Sequence, residues 1–306
     1  MGFVMIKRYS ICVVGAGDVG INAALGLRLM GGDILSGIRI FDPDAKRAKR
    51  AEMELGQVDW PAGAGLPAVA AAFSMDEVFA SDVVLFTASR GVPGLGSGVA
   101  DVRLAQLEAN AGIVRIYGKE ARERGFDGYF FIMSDPVDDL CNVMLRSSGM
   151  DPGRIRGFGL GVMNARARYY AERDPRFASY LTEGRAFGQH GEGLVLANSI
   201  ADYDDGLSRE LTSLAARANL EVRELGFKPF IAPAFSSGAI SVLETLRGGW
   251  NYGSVYIERP EGGSFFGMLS RLTADGPECE DNALPEALAG RIDESFRSLI
   301  ERDKDL

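Results

Sequence analysis

The chain has 306 residues, 46% of them hydrophobic, and a formal charge of -9 at neutral pH. That length buries a sizeable core and accommodates two lobes, while an acidic balance with scattered Lys and Arg excludes phosphate-backbone binding as the main activity. Three distant cysteines, Cys12, Cys141 and Cys279, and a single histidine offer neither a disulfide framework nor a metal-ligand spacing.

Met1-Gly2-Phe3-Val4-Met5-Ile6-Lys7-Arg8 lacks the order of a secretory signal, and no apolar run is long enough for a membrane span, so a cytoplasmic protein is expected. Residues 11–14 read as a short apolar strand that breaks at Gly15, and residues 19–30 as a helix burying Ile21, Leu25, Leu27 and Leu29. Gly37 opens a second strand, 38–41, which ends in Asp42. Lys46, Arg47, Lys49 and Arg50 read as the wet face of a helix, and 61–67, rich in Pro and Gly, as a loop. Strand-like runs follow at 68–73, 83–87 and 129–133, with a helical stretch over 102–124 between the last two. This alternation predicts an α/β architecture, a doubly wound parallel sheet covered on both faces. Beyond Gly149 the texture becomes α+β: helices at 162–173 and 207–219, β-looking runs at 254–257 and 265–272, and a closing helix at 284–302. Turn chemistry at 147–152 suggests a division into a dinucleotide-binding domain, 1–148, and a substrate and catalytic domain, 149–306.

Gly15-Ala16-Gly17-Asp18-Val19-Gly20 follows a strand and opens a helix, and Asp42 ends the next strand. In a Rossmann-type unit Gly15 makes the tight turn, Gly17 admits a pyrophosphate to the backbone, and Gly20 lets helix and strand pack closely. Asp18 and Val19 begin the helix whose N-terminus faces the phosphates. Asp42 accepts hydrogen bonds from the adenosine ribose and would repel a 2′-phosphate, so NAD is preferred over NADP. The bland reading is a tight glycine turn with no ligand.

The only histidine, His190, lies in Phe187-Gly188-Gln189-His190-Gly191-Glu192. Imidazole both gives and takes a proton near neutral pH, which makes this the obvious place for acid–base chemistry. Four runs follow the glycine motif in order: Thr87-Ala88 with Pro93-Gly94 and Arg103-Leu104 leading to Asn110; Ser134-Asp135-Pro136-Val137-Asp138; Asn164-Ala165-Arg166; and the histidine run. This succession resembles the lactate/malate dehydrogenase family of NAD-dependent 2-hydroxyacid dehydrogenases. The resemblance implies that Arg166 grips the substrate carboxylate, that Arg103 on a mobile loop polarises the carbonyl, and that His190 is the acid/base. It also implies a homodimer or homotetramer.

Three departures stand out. The aspartate on which the family's histidine leans is here Met163, and a thioether neither stabilises imidazolium nor orients the ring. By itself this makes His190 a better base than acid and favours hydroxy-acid oxidation at alkaline pH. Asp135 replaces the family's asparagine, and one hypothesis joins both changes: Asp135 supplies the lost carboxylate to His190 from a new direction, with Glu192 as runner-up. The loop from Gly94 to Arg103 is longer than in a typical member, which suits a lid over a bulkier 2-oxo acid. Arg90 is the nearest candidate for selecting a second carboxylate, though one place out of register. The sequence thus reads as an oxidoreductase moving hydride between NAD(H) and C2 of a 2-hydroxy or 2-oxo acid. A second class is an NAD-binding sensor or assembly protein that has lost the reaction, against which the joint presence of His190, Arg103 and Arg166 weighs.

Overall fold

The computed structural model describes residues 7–60, 63, 65–90, 102–191 and 193–304, with side chains from residue 106 onward in the helix that begins at 102. The first half runs β1 (Tyr9–Val14), α1 (Asp18–Met30), β2 (Leu35–Phe41), α2 (Ala45–Gly56), β3 (Ala68–Ala72), α3 (Met75–Phe79), β4 (Val83–Phe86), α4 (Val102–Glu123), β5 (Tyr129–Ile132), α5 (Val137–Ser148) and β6 (Ile155–Gly157). These strands are parallel and stand in the order β3-β2-β1-β4-β5-β6, so the direction of winding reverses between β1 and β4. A parallel sheet covered on both faces needs continuous apolar strands, and Ile11 to Val14 and Val83 to Phe86 supply them, every side chain fully buried. The two-residue strand period sends Ile11, Val13, Val83 and Leu85 against α1, and Cys12, Val14, Val84 and Phe86 against α4 and α5.

The second half contains α6 (Leu160–Ala171), α7 (Tyr180–Glu183), β7 (Arg185–Gly188), β8 (Leu194–Ala197), α8 (Asp205–Glu224), a π-wound turn Pro233–Ile240 leading into α9 (Ser241–Leu246), β9 (Asn251–Arg259), β10 (Gly262–Thr273), β11 (Gly276–Cys279) and α10 (Glu286–Asp303). β9, β10 and β11 are antiparallel and carry the first sheet on to nine strands, through the single pair Gly157 and Ser254. β7 and β8 form a separate hairpin. The β runs read at 254–257 and 265–272 lie in β9 and β10, but their junction with the parallel sheet depends on contacts distant in sequence.

Among the elements that the sequence reading did not assign are α5 and β6. The buried side of α5 carries Asp138, Asp139 and Asn142, which disguise a core helix as polar, and β6 is three residues long with a charged residue, Arg156, at its centre. The turn chemistry at 147–152 is real: α5 closes on Gly149 at φ +67, a left-handed conformation that glycine adopts without strain, and a 3-10 turn, Pro152–Arg154, follows. The basic run on α2 faces solvent, with Lys49 and Arg50 paired to Glu52 and Glu54. Among the described residues no helix is long and apolar enough to cross a membrane, and no cluster suits a metal ion.

Candidate active site

The reversal between β1 and β4 opens a crevice at the carboxyl ends of the strands, where an open α/β sheet binds its ligands. Gly15 takes φ +102, and a Cβ there would lie 2.9 Å from the Ala88 backbone. A Cβ on Gly20 would come within 1.9 Å of the Gly15 carbonyl oxygen and 2.6 Å of the Thr87 hydroxyl. Around Gly17 there is no atom to meet, so the backbone lies open to a phosphate. Gly17 caps α1 without a side-chain hydrogen bond, which leaves first-turn N–H groups available to an anion. Asp42 is tied beside this turn: its carboxylate accepts from the Ala16 and Asp44 N–H groups, each at 2.9 Å. Asp18 is exposed, Val19 packs on the core, and the Thr87 hydroxyl donates to the Val14 and Gly15 carbonyls at 2.9 and 3.0 Å. The Ala88 carbonyl accepts from Ser134 Oγ at 2.6 Å, which ties β4 to the end of β5. These residues fit a dinucleotide.

Gly20→Ala is therefore expected to destabilise the fold by about 2–3 kcal/mol, because backbone rather than a flexible side chain must move. It should also weaken NADH binding. Thermal melts and NADH fluorescence titration check both effects, and a variant with the parent's melting curve would contradict this packing.

A cavity of about 240 Å³ is lined by Gln106, Asp135, Met163, Arg166, His190 and Asn219, among others. A larger one, about 630 Å³, surrounds Asp82, Gly128 and Arg154, at the starts of β4, β5 and β6, and contains none of the candidate residues. Size therefore does not mark the chemistry here. His190 sits in the turn between β7 and β8, and its Nδ1 lies 2.6 Å from Asp135 Oδ1. That contact is built from several directions. Asn110, fully buried on α4, donates to the Asp135 carbonyl at 2.8 Å and accepts from the Arg90 N–H at 3.0 Å. Gly159 leaves room for the ring, since a Cβ there would be 2.9 Å from His190 Cβ. Gln189 anchors the turn to α10, its Nε2 donating to Ser298 Oγ at 3.1 Å and its Oε1 accepting from Arg302. The carboxylate partner assigns the proton to Nδ1 and leaves Nε2 as the exchanging nitrogen.

Met163 is fully buried on α6, and its sulfur accepts from Arg166 Nη1 at 3.4 Å. With a carboxylate already on His190, a neutral ring no longer follows from the thioether alone, and the expected bias towards alkaline oxidation loses that support. Burial draws the Arg166 guanidinium below the ordinary arginine value, while Asp135 and Tyr170 pull it back up. Asp135 thus lies against the His190 ring and within electrostatic reach of the Arg166 guanidinium.

Residues 9–157 match the NAD-binding domain of the lactate/malate dehydrogenase family, and the L-lactate dehydrogenase of Treponema denticola is 30% identical over 198 residues. The first half of the chain belongs to the lactate/malate dehydrogenase family. This lobe is an NAD-binding domain. The Treponema match takes in 63% of this chain and 58% of that relative, little more than half its length. Among solved structures, the minor L-lactate dehydrogenase of Enterococcus mundtii superposes with a TM-score of 0.81, covering 98% of this chain and 99% of that one at 21% identity. The malate dehydrogenase of Archaeoglobus fulgidus, in complex with NADH, superposes at 0.77 over 97% and 99%, also at 21% identity. At these identities the agreement is one of fold.

Among the described residues, one expected substrate-binding side chain is absent from the lining of the cavity. Arg90 is exposed, and its guanidinium is not among the described groups lining it. Arg103 lies in the first turn of α4, but its side chain is outside the described residues, as are Glu192 and the loop at 94–101. Three lining residues escaped the sequence reading. Gln106 is one turn after Arg103, and Ala216 and Asn219 stand three apart on α8. That spacing is the only trace they leave in the sequence.

Proposed function

We propose that this protein moves hydride between NAD(H) and C2 of a 2-hydroxy or 2-oxo acid. The observation that carries the reading is the 2.6 Å contact between His190 and Asp135 in one cavity with Arg166, beside the crevice of an NAD-binding lobe. Arg166 receives the substrate carboxylate in its two-pronged donor, and Arg103 closes over the carbonyl where negative charge develops. His190 holds a proton at Nε2 for that oxygen, or takes the hydroxyl proton in reverse, while Asp135 fixes the ring. NAD, when bound, supplies or accepts the hydride. The proposal includes a division of lobes near residue 148, where α5 ends, assembly as a homodimer or homotetramer, and a cytoplasmic location.

Loss of NADH absorbance against a panel of 2-oxo acids tests the reaction, and paired titrations test the cofactor. Turnover of at least one acid and tighter binding of NADH than NADPH are expected, the latter because Asp42 opposes a 2′-phosphate. A panel without turnover by a protein that binds NADH overturns the proposed reaction. Tighter NADPH binding overturns the role given to Asp42.

A further inference from the structure

Asp138 lies in the first turn of α5, three residues past Asp135, and has no part in the reaction proposed above. Its side chain is buried, and among the described residues its Oδ1 has no hydrogen-bond partner. The Ser254 hydroxyl of β9, itself buried, hydrogen-bonds the carboxyl and favours its ionised form. The charged groups that face it are Asp139 on the same turn, Arg302 from α10 and His190 from the turn between β7 and β8. Cys141, further along α5, also interacts with it, its thiol held protonated by burial. Arg302 does not neutralise Asp138, because it lies 3.4 Å from the Asp139 carboxylate and donates to Gln189. An ionised carboxylate with a bare buried oxygen is costly, whereas a neutral acid leaves only a carbonyl-type oxygen bare.

The N-terminus of α5 favours a negative charge at this place, but burial outweighs it and the neighbouring Asp139 adds to the effect, so the carboxyl is pushed up to about 7. His190 and Arg302 pull in the opposite direction without restoring an ordinary carboxylate.

We infer that Asp138 is a buried acid that holds a proton behind the Asp135–His190 pair, and that its ionisation tightens the grip of His190 on its own proton. The chemistry is one O–H ionisation: the proton leaves to solvent and the charge stays on the carboxylate, where it favours imidazolium. Asp138 is in this sense a positioning residue for His190, acting through the ring without touching substrate. Its catalytic consequence rests on the proposed reaction, but the ionisation does not.

Infrared spectra of protein labelled with carboxyl-13C aspartate should show the carbonyl stretch of a protonated acid, lost with a midpoint near 7. The band should be missing in Asp138→Asn and kept in Asp135→Asn. Because the chain has one histidine, its ring Cε1–H gives a single proton resonance to follow. At about pH 8 the ratio of protonated to neutral ring should fall by about threefold to tenfold in Asp138→Asn. Superimposable histidine curves, or a parent protein without the band, overturn the inference. If Asp138→Asn does not fold, Ser254→Ala keeps the carboxyl and removes its hydrogen bond. The band must then persist to higher pH, and an unchanged range also overturns the inference. Coupled curves together with a silent substrate panel would remove the proposed reaction and leave Asp138 as described; turnover with uncoupled curves would do the reverse.

Discussion

His190→Asn should lower turnover of a responsive 2-oxo acid by about a thousandfold while NADH still binds, since a positioned acid/base contributes on that order. Asp135→Asn should cost less, about thirtyfold, because the imidazole remains but loses the charge that sets its tautomer. The pair acts as a unit across 2.6 Å, so the double variant should be no slower than His190→Asn alone. Steady-state kinetics on the four proteins measures this, and multiplied effects would show that Asp135 works independently of the ring. A stricter check exploits Met163, which touches Arg166 and lines the same cavity. Adding Met163→Asp to Asp135→Asn should recover part of the lost rate by returning a carboxylate from the α6 side. Melting curves must accompany that measurement, because the new acid would be fully buried. No recovery in a folded double variant would sink the idea that the carboxylate has been relocated.

Arg166→Met should reduce kcat/KM by about a thousandfold, equal to roughly 4 kcal/mol, with most of the loss in KM. The guanidinium is largely withdrawn from water on α6, so removing it deletes a desolvated cation and leaves the substrate carboxylate without its planar partner. Arg166→Lys should fall between the two, because an ammonium keeps the charge and loses the fork. If Arg166→Met instead lowered kcat at unchanged KM, the residue would belong with the developing charge on the carbonyl. Parent-like kinetics would remove Arg166 from the site altogether.

Local patterns carried the first half of the fold well. Apolar runs at 11–14, 38–41 and 83–87, a glycine motif and a terminal acid all lie in one βαβ frame, because the parallel sheet and its helices are read from short-range periodicity. The same reading passed over α5 and β6. Buried acids sit on α5 for reasons that involve Ser254, Arg302 and His190, which belong to other elements. Nor could periodicity show β9 crossing to β6 through Gly157 and Ser254.

The candidate site divides in the same way. Residue type and order along the chain determined the glycine turn, Asp42, the lone histidine, the two arginines and the absence of the usual aspartate at Met163. The cavity walls were decided by tertiary structure alone: Gln106 from α4, Asn219 from α8, and the direction from which Asp135 reaches His190. A strand or helix pattern records which face of an element is buried, whereas side chains drawn from the junction after β5, from α6 and from the turn between β7 and β8 meet only when packing closes the space between them.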